Sequence, residues 1–299
     1  MPGLACIGVP IDSAGVAGGT SLGPRALRSQ GLIEAIGGVD RGDLEVAIRG
    51  STRDPLTGVL ESAQVDAATV AIREAVAAEL STGNRPFLIG GCCAMVPGAL
   101  AGCRDVVGDV GIIHLDGHLD LYDGATSPLG EAADMPLAVG LGFGPASWVA
   151  AAGGPSLAPE RTWILGYRDR SEARADGMIM PEDFQPPVRC MSTHQMREMG
   201  PGLAVTAAVS DLARTAKGFW VHLDLDIVDP GLFYANDAPV DDGLDWDELV
   251  GALQAVIADP GLLGFSLGCY NPEKDPEGRN GIDVVEVFAR AIGDGVGAV

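Results

Sequence analysis

The chain reads as an α/β protein: one mostly parallel sheet with helices on both faces. Three observations carry that reading. Short apolar runs alternate with helical patterns from end to end, the connections between them are short, and two of the runs end in clusters of carboxylates. Repeated β-then-α order favours a parallel sheet, because each crossover helix covers a face of the sheet it connects. Ligands in such folds collect at the carboxyl ends of strands.

The elements follow in chain order. Residues 4–9 form a first core strand, followed by a Gly-rich loop (Gly15, Gly18, Gly19) and a short helix opening near Gly23-Pro24. A strand at 44–48 precedes an Ala-rich amphipathic helix over 63–80. A strand at 86–89 runs into Gly90-Gly91 and a small-residue helix through Gly102. Further strands lie at 111–115, 162–166, 188–191, 218–225 and 262–267, and a last helix spans 281–292. No linker, internal repeat or low-complexity tail divides them, so residues 1–299 are expected to form a single domain.

Composition narrows the function. The chain carries 19 basic against 41 acidic residues, a formal charge of −22, with 47% hydrophobic content. That balance argues against nucleic acid and anionic membranes as partners, since both need a basic surface, and fits a small cationic substrate. The first residues, from Met1 to Asp12, lack a basic segment before their apolar run and do not resemble a secretory signal. No apolar run reaches the length of a membrane span. Six cysteines show neither zinc-finger spacing nor disulfide density. The expected compartment is cytoplasmic.

The two acidic clusters are Asp116-Gly117-His118-Leu119-Asp120 and Asp224-Leu225-Asp226, the latter followed by Asp229-Pro230. Extended backbone would put Asp116, His118 and Asp120 on one face, and Asp224 and Asp226 on another. Five such groups facing one another concentrate more negative charge than a protein interior tolerates unpaired. Divalent cations resolve that conflict, and a ligand set of this size suits a hydrolytic two-metal centre. Solvated acids at strand ends are the plainer alternative.

These residues, with Gly90-Gly91, Ile7-Gly8-Val9-Pro10, Gly23-Pro24-Arg25-Ala26-Leu27-Arg28, Gly166-Tyr167-Arg168-Asp169 and Leu223 to Pro230, resemble the signatures of the ureohydrolase (arginase/agmatinase) superfamily. The resemblance implies a three-layer α/β/α sandwich with a mostly parallel central sheet. It also implies a binuclear manganese centre that hydrolyses C–N bonds of guanidino compounds with a metal-bridging hydroxide. Carried over residue by residue, Asp120 and Asp224 resemble the bridging carboxylates, and Asp116, His118 and Asp226 the terminal ligands. Asp229 suits a turn-capping or supporting role. Homo-oligomers are common in that family, although no segment here identifies an interface.

The chain departs from the family at several positions. Where the first signature reads Gly-Gly-Asp-His, this sequence has Gly90-Gly91-Cys92-Cys93, so Cys93 takes the position of a metal-binding histidine. A thiolate can ligate a divalent ion, and a softer ligand lets zinc, iron or cobalt compete with manganese. The other reading is a pair of buried structural cysteines. Ala133 replaces a histidine of arginases proper, Tyr122 and Leu129 occupy the positions of polar head-group contacts, and Cys269 replaces the guanidinium-binding acid. The exchange at Cys93 resembles the branch that cleaves Nω-hydroxy-arginine in cycloserine biosynthesis.

Glu131 is new beside the metal motif. Its carboxylate can pair with a guanidinium or shuttle a proton, or it can merely decorate a helix start. Asp120 and Glu131 are the expected catalytic carboxylates. His114 and His222 read as core or supporting groups, and His194 as a surface or capping residue. Two functional readings stand at this stage: a hydrolase of guanidino or N-hydroxyguanidino compounds, and a catalytically silent protein that binds a ligand or partner through the same pocket.

Overall fold

The computed structural model describes residues 3–15 and 18–293. Strands β1 (Leu4–Val9), β2 (Val39–Asp43), β3 (Arg85–Gly90), β4 (Val110–Leu115), β5 (Thr162–Tyr167), β6 (Arg189–Ser192), β7 (Gly218–Asp224) and β8 (Leu262–Gly268) form one sheet. Its order is β2-β1-β3-β8-β7-β4-β5-β6, and every neighbouring pair is parallel.

Alternation along the buried strands creates two apolar layers. Ile113 and Leu115 of β4 face one side with Val221, Leu223, Phe265 and Leu267. Helices Pro201–Thr215, Trp246–Ile257 and Arg279–Gly293 cover that side. Val110 and Ile112 face the other side with Leu88, Ile164 and Trp220, under helices Ser62–Ser81 and Val96–Val107. The result is the expected three-layer α/β/α arrangement. Gly98 and Gly102 let the last two helices meet closely: an added Cβ would lie 2.7 Å from the Thr69 and Arg73 carbonyl oxygens, respectively.

One predicted strand is misplaced. Residues 44–48 are not a strand; β2 lies just before them, at Val39–Asp43, and all its residues are exposed. An edge strand has one hydrogen-bonded neighbour and need not bury either face, so Val-Asp-Arg-Gly-Asp lacks the apolar signature of an interior strand. Leu44 and Val46, which suggested a strand, pack from a loop against the layer containing Ile7 and Val9. No helix among the described residues is long and apolar enough to cross a membrane.

Candidate metal centre

Strands β3, β8, β7 and β4 are adjacent in the middle of the sheet, so their carboxyl ends deliver chemistry to one place. Cys93 follows β3 and Cys269 follows β8, while Asp224 ends β7 and Asp116 follows β4. In the register, His114 sits opposite His222 and His222 opposite Ser266.

The acidic motifs converge, but not by strand alternation. Extended structure ends at Leu115, and Asp120 adopts a left-handed φ of 54°. Leu225–Ile227 is a turn of 3-10 helix. Backbone hydrogen bonds hold the bends: Asp116 Oδ1 accepts from His118 N at 2.7 Å, and Asp224 Oδ1 accepts from Asp226 N at 2.8 Å. Gly117 N donates to Asp226 Oδ1 across the two motifs. Arg168 braces the second bend by donating to the carbonyl oxygens of Asp226 and Ile227. Asp229 accepts from Gly231 N and caps the following turn.

Within this frame the expected ligand residues meet. Cys93 Sγ lies 2.7 Å from Asp224 Oδ2 and 3.9 Å from Asp116 Oδ2. His118 Nδ1 is 2.9 Å from Asp226 Oδ2 and 3.6 Å from Asp116 Oδ1. Asp120 joins through His114, whose Nε2 lies 2.9 Å from Asp116 Oδ2 and 3.1 Å from Asp120 Oδ2. Beside them opens a cavity of about 440 Å³, lined by Cys93, His118, Asp120, Asp224, Asp226 and Cys269 together with Asp12, Glu131, Asp134, Asn236 and Asp237. Asp116 is almost fully buried and is not among the lining residues.

The buried groups of the centre shift one another strongly. Burial and the Asp116 charge push the Asp120 carboxyl up to about 8. Burial, Asp226 and Asp116 hold Asp224 well above the carboxylate range. Burial also raises Asp116, but His114 outweighs it and brings that carboxyl below its ordinary value. Burial opposes the charge on His114, yet Asp116 and Asp120 raise it to about 10. Hydrogen bonding to Cys269 and burial raise the Cys93 thiol.

The donor set fits divalent metal. Three groups, namely Cys93–Asp116–His222–Asp224, His114–Asp116–Asp120 and Asp116–His118–Asp226, each have potential ligand atoms within 4.8 Å of one another. Imidazole, carboxylate and thiolate are the donors that first-row divalent ions take.

His114 and His222, expected as core or supporting groups, are fully buried and reach Asp116, Asp120 and Cys93. The signal was present: His114 and Asp116, like His222 and Asp224, are two residues apart and so share a face at a strand end. His194 is exposed, in agreement with its reading as a surface residue. Glu131 precedes the 3-10 turn Ala132–Asp134 and makes no side-chain cap hydrogen bond, unlike an ordinary helix-start acid. It lines the cavity instead, where burial and the charges of Asp134, Asp12 and Asp237 raise it to about 7. Leu129 is largely exposed at the cavity mouth.

The Arginase family profile matches residues 3–292. An arginase of Brevibacillus brevis is 27% identical over 97% of this chain and 98% of its own length. The N(omega)-hydroxy-L-arginine amidinohydrolase of Streptomyces lavendulae is 26% identical over 70% of this chain and 68% of its own. The crystal structure of arginase from Bacillus cereus superposes with a TM-score of 0.83 at 26% identity, covering 97% of this chain and 98% of that one. With a match that runs almost from end to end, the chain belongs to the arginase family.

Proposed function

We propose that this protein is a metal-dependent hydrolase that cleaves a C–N bond of a guanidino compound, with an N-hydroxyguanidino compound as the preferred substrate. The observation that carries the reading is the convergence of Cys93, Asp116, His118, Asp120, Asp224 and Asp226 at the carboxyl ends of adjacent strands, Asp116 buried and the other five lining an acidic cavity. Membership of the arginase family supports hydrolysis of amidine C–N bonds.

In this reading those six residues would hold two divalent ions, manganese being the family's usual choice, and Asp120 and Asp224 would each serve both. The ions supply Lewis acidity, which lowers the pKa of water and offsets the charge that develops during attack on a delocalised guanidinium carbon. The chain's own groups do the rest. His114 donates toward Asp116 and Asp120 and fixes the orientation of both carboxylates. Gly117 N and Asp226 N hold Asp226 and Asp224 in register. Glu131 lines the cavity and exchanges its proton near neutral pH, which suits it to face a cationic substrate or to protonate the departing amine. In the net reaction, water adds oxygen to the guanidino carbon, the C–N bond breaks, and the released nitrogen leaves as an amine.

The substrate preference follows from the departures. With Cys269 in place of the guanidinium-binding acid, an arginine guanidinium loses the partner that the family implies. An N-hydroxyguanidino group can be neutral near pH 7 and offers an oxygen to the metals. The named activity of the S. lavendulae relative supports the same class. The test compares kcat/KM for arginine and N-hydroxy-arginine on manganese-loaded protein. Ten-fold or greater preference for the hydroxylated compound, about 1.4 kcal/mol, is expected. Equal turnover, or faster turnover of arginine, would overturn the preference, and turnover of neither would favour a silent binding protein.

A further inference from the structure

Two donors outside the family's ligand set crowd one side of the centre. Cys269 Sγ lies 3.5 Å from Cys93 Sγ, and His222 Nε2 lies 3.3 Å from the same sulfur. Asp224 Oδ2 contacts Cys93 Sγ from another direction. Ligands held roughly 2.0–2.3 Å from a tetrahedral ion stand about 3.3–3.8 Å from one another. The sulfur–sulfur and sulfur–nitrogen separations fall in that range, while the 2.7 Å contact between Cys93 Sγ and Asp224 Oδ2 is shorter and would have to open for both to ligate one ion.

The surroundings hold both extra donors in place. Cys269 has a left-handed φ of 66°, rare for a residue with a side chain, and its N–H is pinned to Gly91 O at 2.7 Å. His222 Nδ1 lies 2.7 Å from Ser266 Oγ, which also accepts from Trp220 Nε1 at 2.9 Å. That contact fixes the ring with Nε2 toward Cys93, the arrangement typical of a ligating histidine supported from behind. The strand register, which sets His222 opposite Ser266, builds this support into the sheet.

We infer that this side of the centre is a thiolate-rich metal position, formed by Cys93, Cys269, His222 and Asp224, that takes zinc or cobalt(II) in preference to manganese. Asp116, His118 and Asp226 then belong to a harder position beside it, suited to manganese, with Asp120 and Asp224 available to both. Soft thiolate ligands select zinc-like ions, whereas carboxylate-rich sites suit manganese. Each thiol releases its proton as the metal–sulfur bond forms. The inference rests on the metal-centre reading above and deepens it, since Cys269 fills the vacated guanidinium-binding position with a ligand.

Cobalt(II) titration of the chelator-treated full chain tests it, because thiolate ligation gives a near-ultraviolet charge-transfer band. The wild type should show that band, and Cys269→Ser should lose roughly half of its intensity, one of two thiolate ligands having gone. His222→Asn should shift the visible cobalt bands. An undiminished band in Cys269→Ser would overturn the inference and leave the metal-centre reading standing, whereas cobalt bound with no sulfur band would overturn the inference and also remove Cys93 from the ligand set. No bound cobalt at all would overturn both. A second readout needs no variant: one equivalent of zinc should protect Cys269 from alkylation, mapped by mass spectrometry, while equimolar manganese should not. Equal alkylation under both metals counts against the inference.

Discussion

Gly117 donates its backbone N–H to Asp226 Oδ1 at 2.8 Å, tying the bend after β4 to the bend after β7. With the contact of His118 Nδ1 to Asp226 Oδ2 at 2.9 Å, that bond joins two carboxylate motifs that lie at the ends of adjacent strands. An added Cβ on Gly117 would lie 2.8 Å from Asp226 Oδ1 and 2.9 Å from Arg168 Nη2. Gly117→Ala should therefore displace one bend from the other. Loss of this kind of supporting contact typically lowers metal affinity about 10–100-fold. Isothermal titration with manganese checks it, and an unchanged Kd would show that the bends are held by something else.

Asp120→Ala and Asp224→Ala should each abolish activity and reduce metal content more than Cys93→Ala does. In the proposed centre each of these carboxylates serves both ions, whereas Cys93 serves one. Metal analysis after gel filtration decides the matter. If Cys93→Ala empties the centre while Asp224→Ala leaves it filled, the assigned roles are reversed.

Metal-free protein should lose stability as pH rises from about 4 to 8. Asp120, lifted to about 8, and Glu131, lifted to about 7, keep protons in the folded state that an unfolded chain releases near its ordinary carboxyl pKa. At these two sites the folded state binds more protons across that window, which outweighs the opposing shift of His222, lowered by burial to about 3, so the stability slope is negative. His114, lifted to about 10, adds stability that is full below its ordinary pKa and is lost as pH climbs toward 10, which reinforces the trend. Bound cations favour the deprotonated ligands, so the metal-induced rise in Tm should be larger at pH 8 than at pH 5. Thermal scans with chelator and with manganese at both values check this. A metal-induced shift that shrinks with pH contradicts the ligand set.

Glu131→Gln should lower kcat/KM for cationic guanidino substrates by roughly 10²-fold, the scale of a positioned acid or base. It should also remove a pH-dependent limb near 7, while leaving metal content unchanged. A pH–rate profile beside metal analysis separates these effects. Persistence of the limb in the variant would assign it to another group.

Much of this protein is determined locally, by apolar periodicity and strand-end motifs. Interior strands such as Val110–Leu115 and Gly218–Asp224 are buried on both faces, which requires continuous apolar runs that stand out in the chain. The carboxylate motifs after them are equally visible, since so many acids at two strand ends demand a common counter-charge. The edge strand Val39–Asp43 carries no such signature because nothing covers it. Tertiary structure alone decided the geometry of the centre. The motif residues meet through bends held by Gly117 and Asp226 rather than by strand alternation, because a single extended face points its side chains one way whereas these converge from several directions. The same holds for Cys269 and His222. Their sulfur and imidazole reach Cys93 only because β8 lies beside β3 and β7 beside β8 in the sheet, an adjacency between segments more than 120 residues apart that no local pattern encodes.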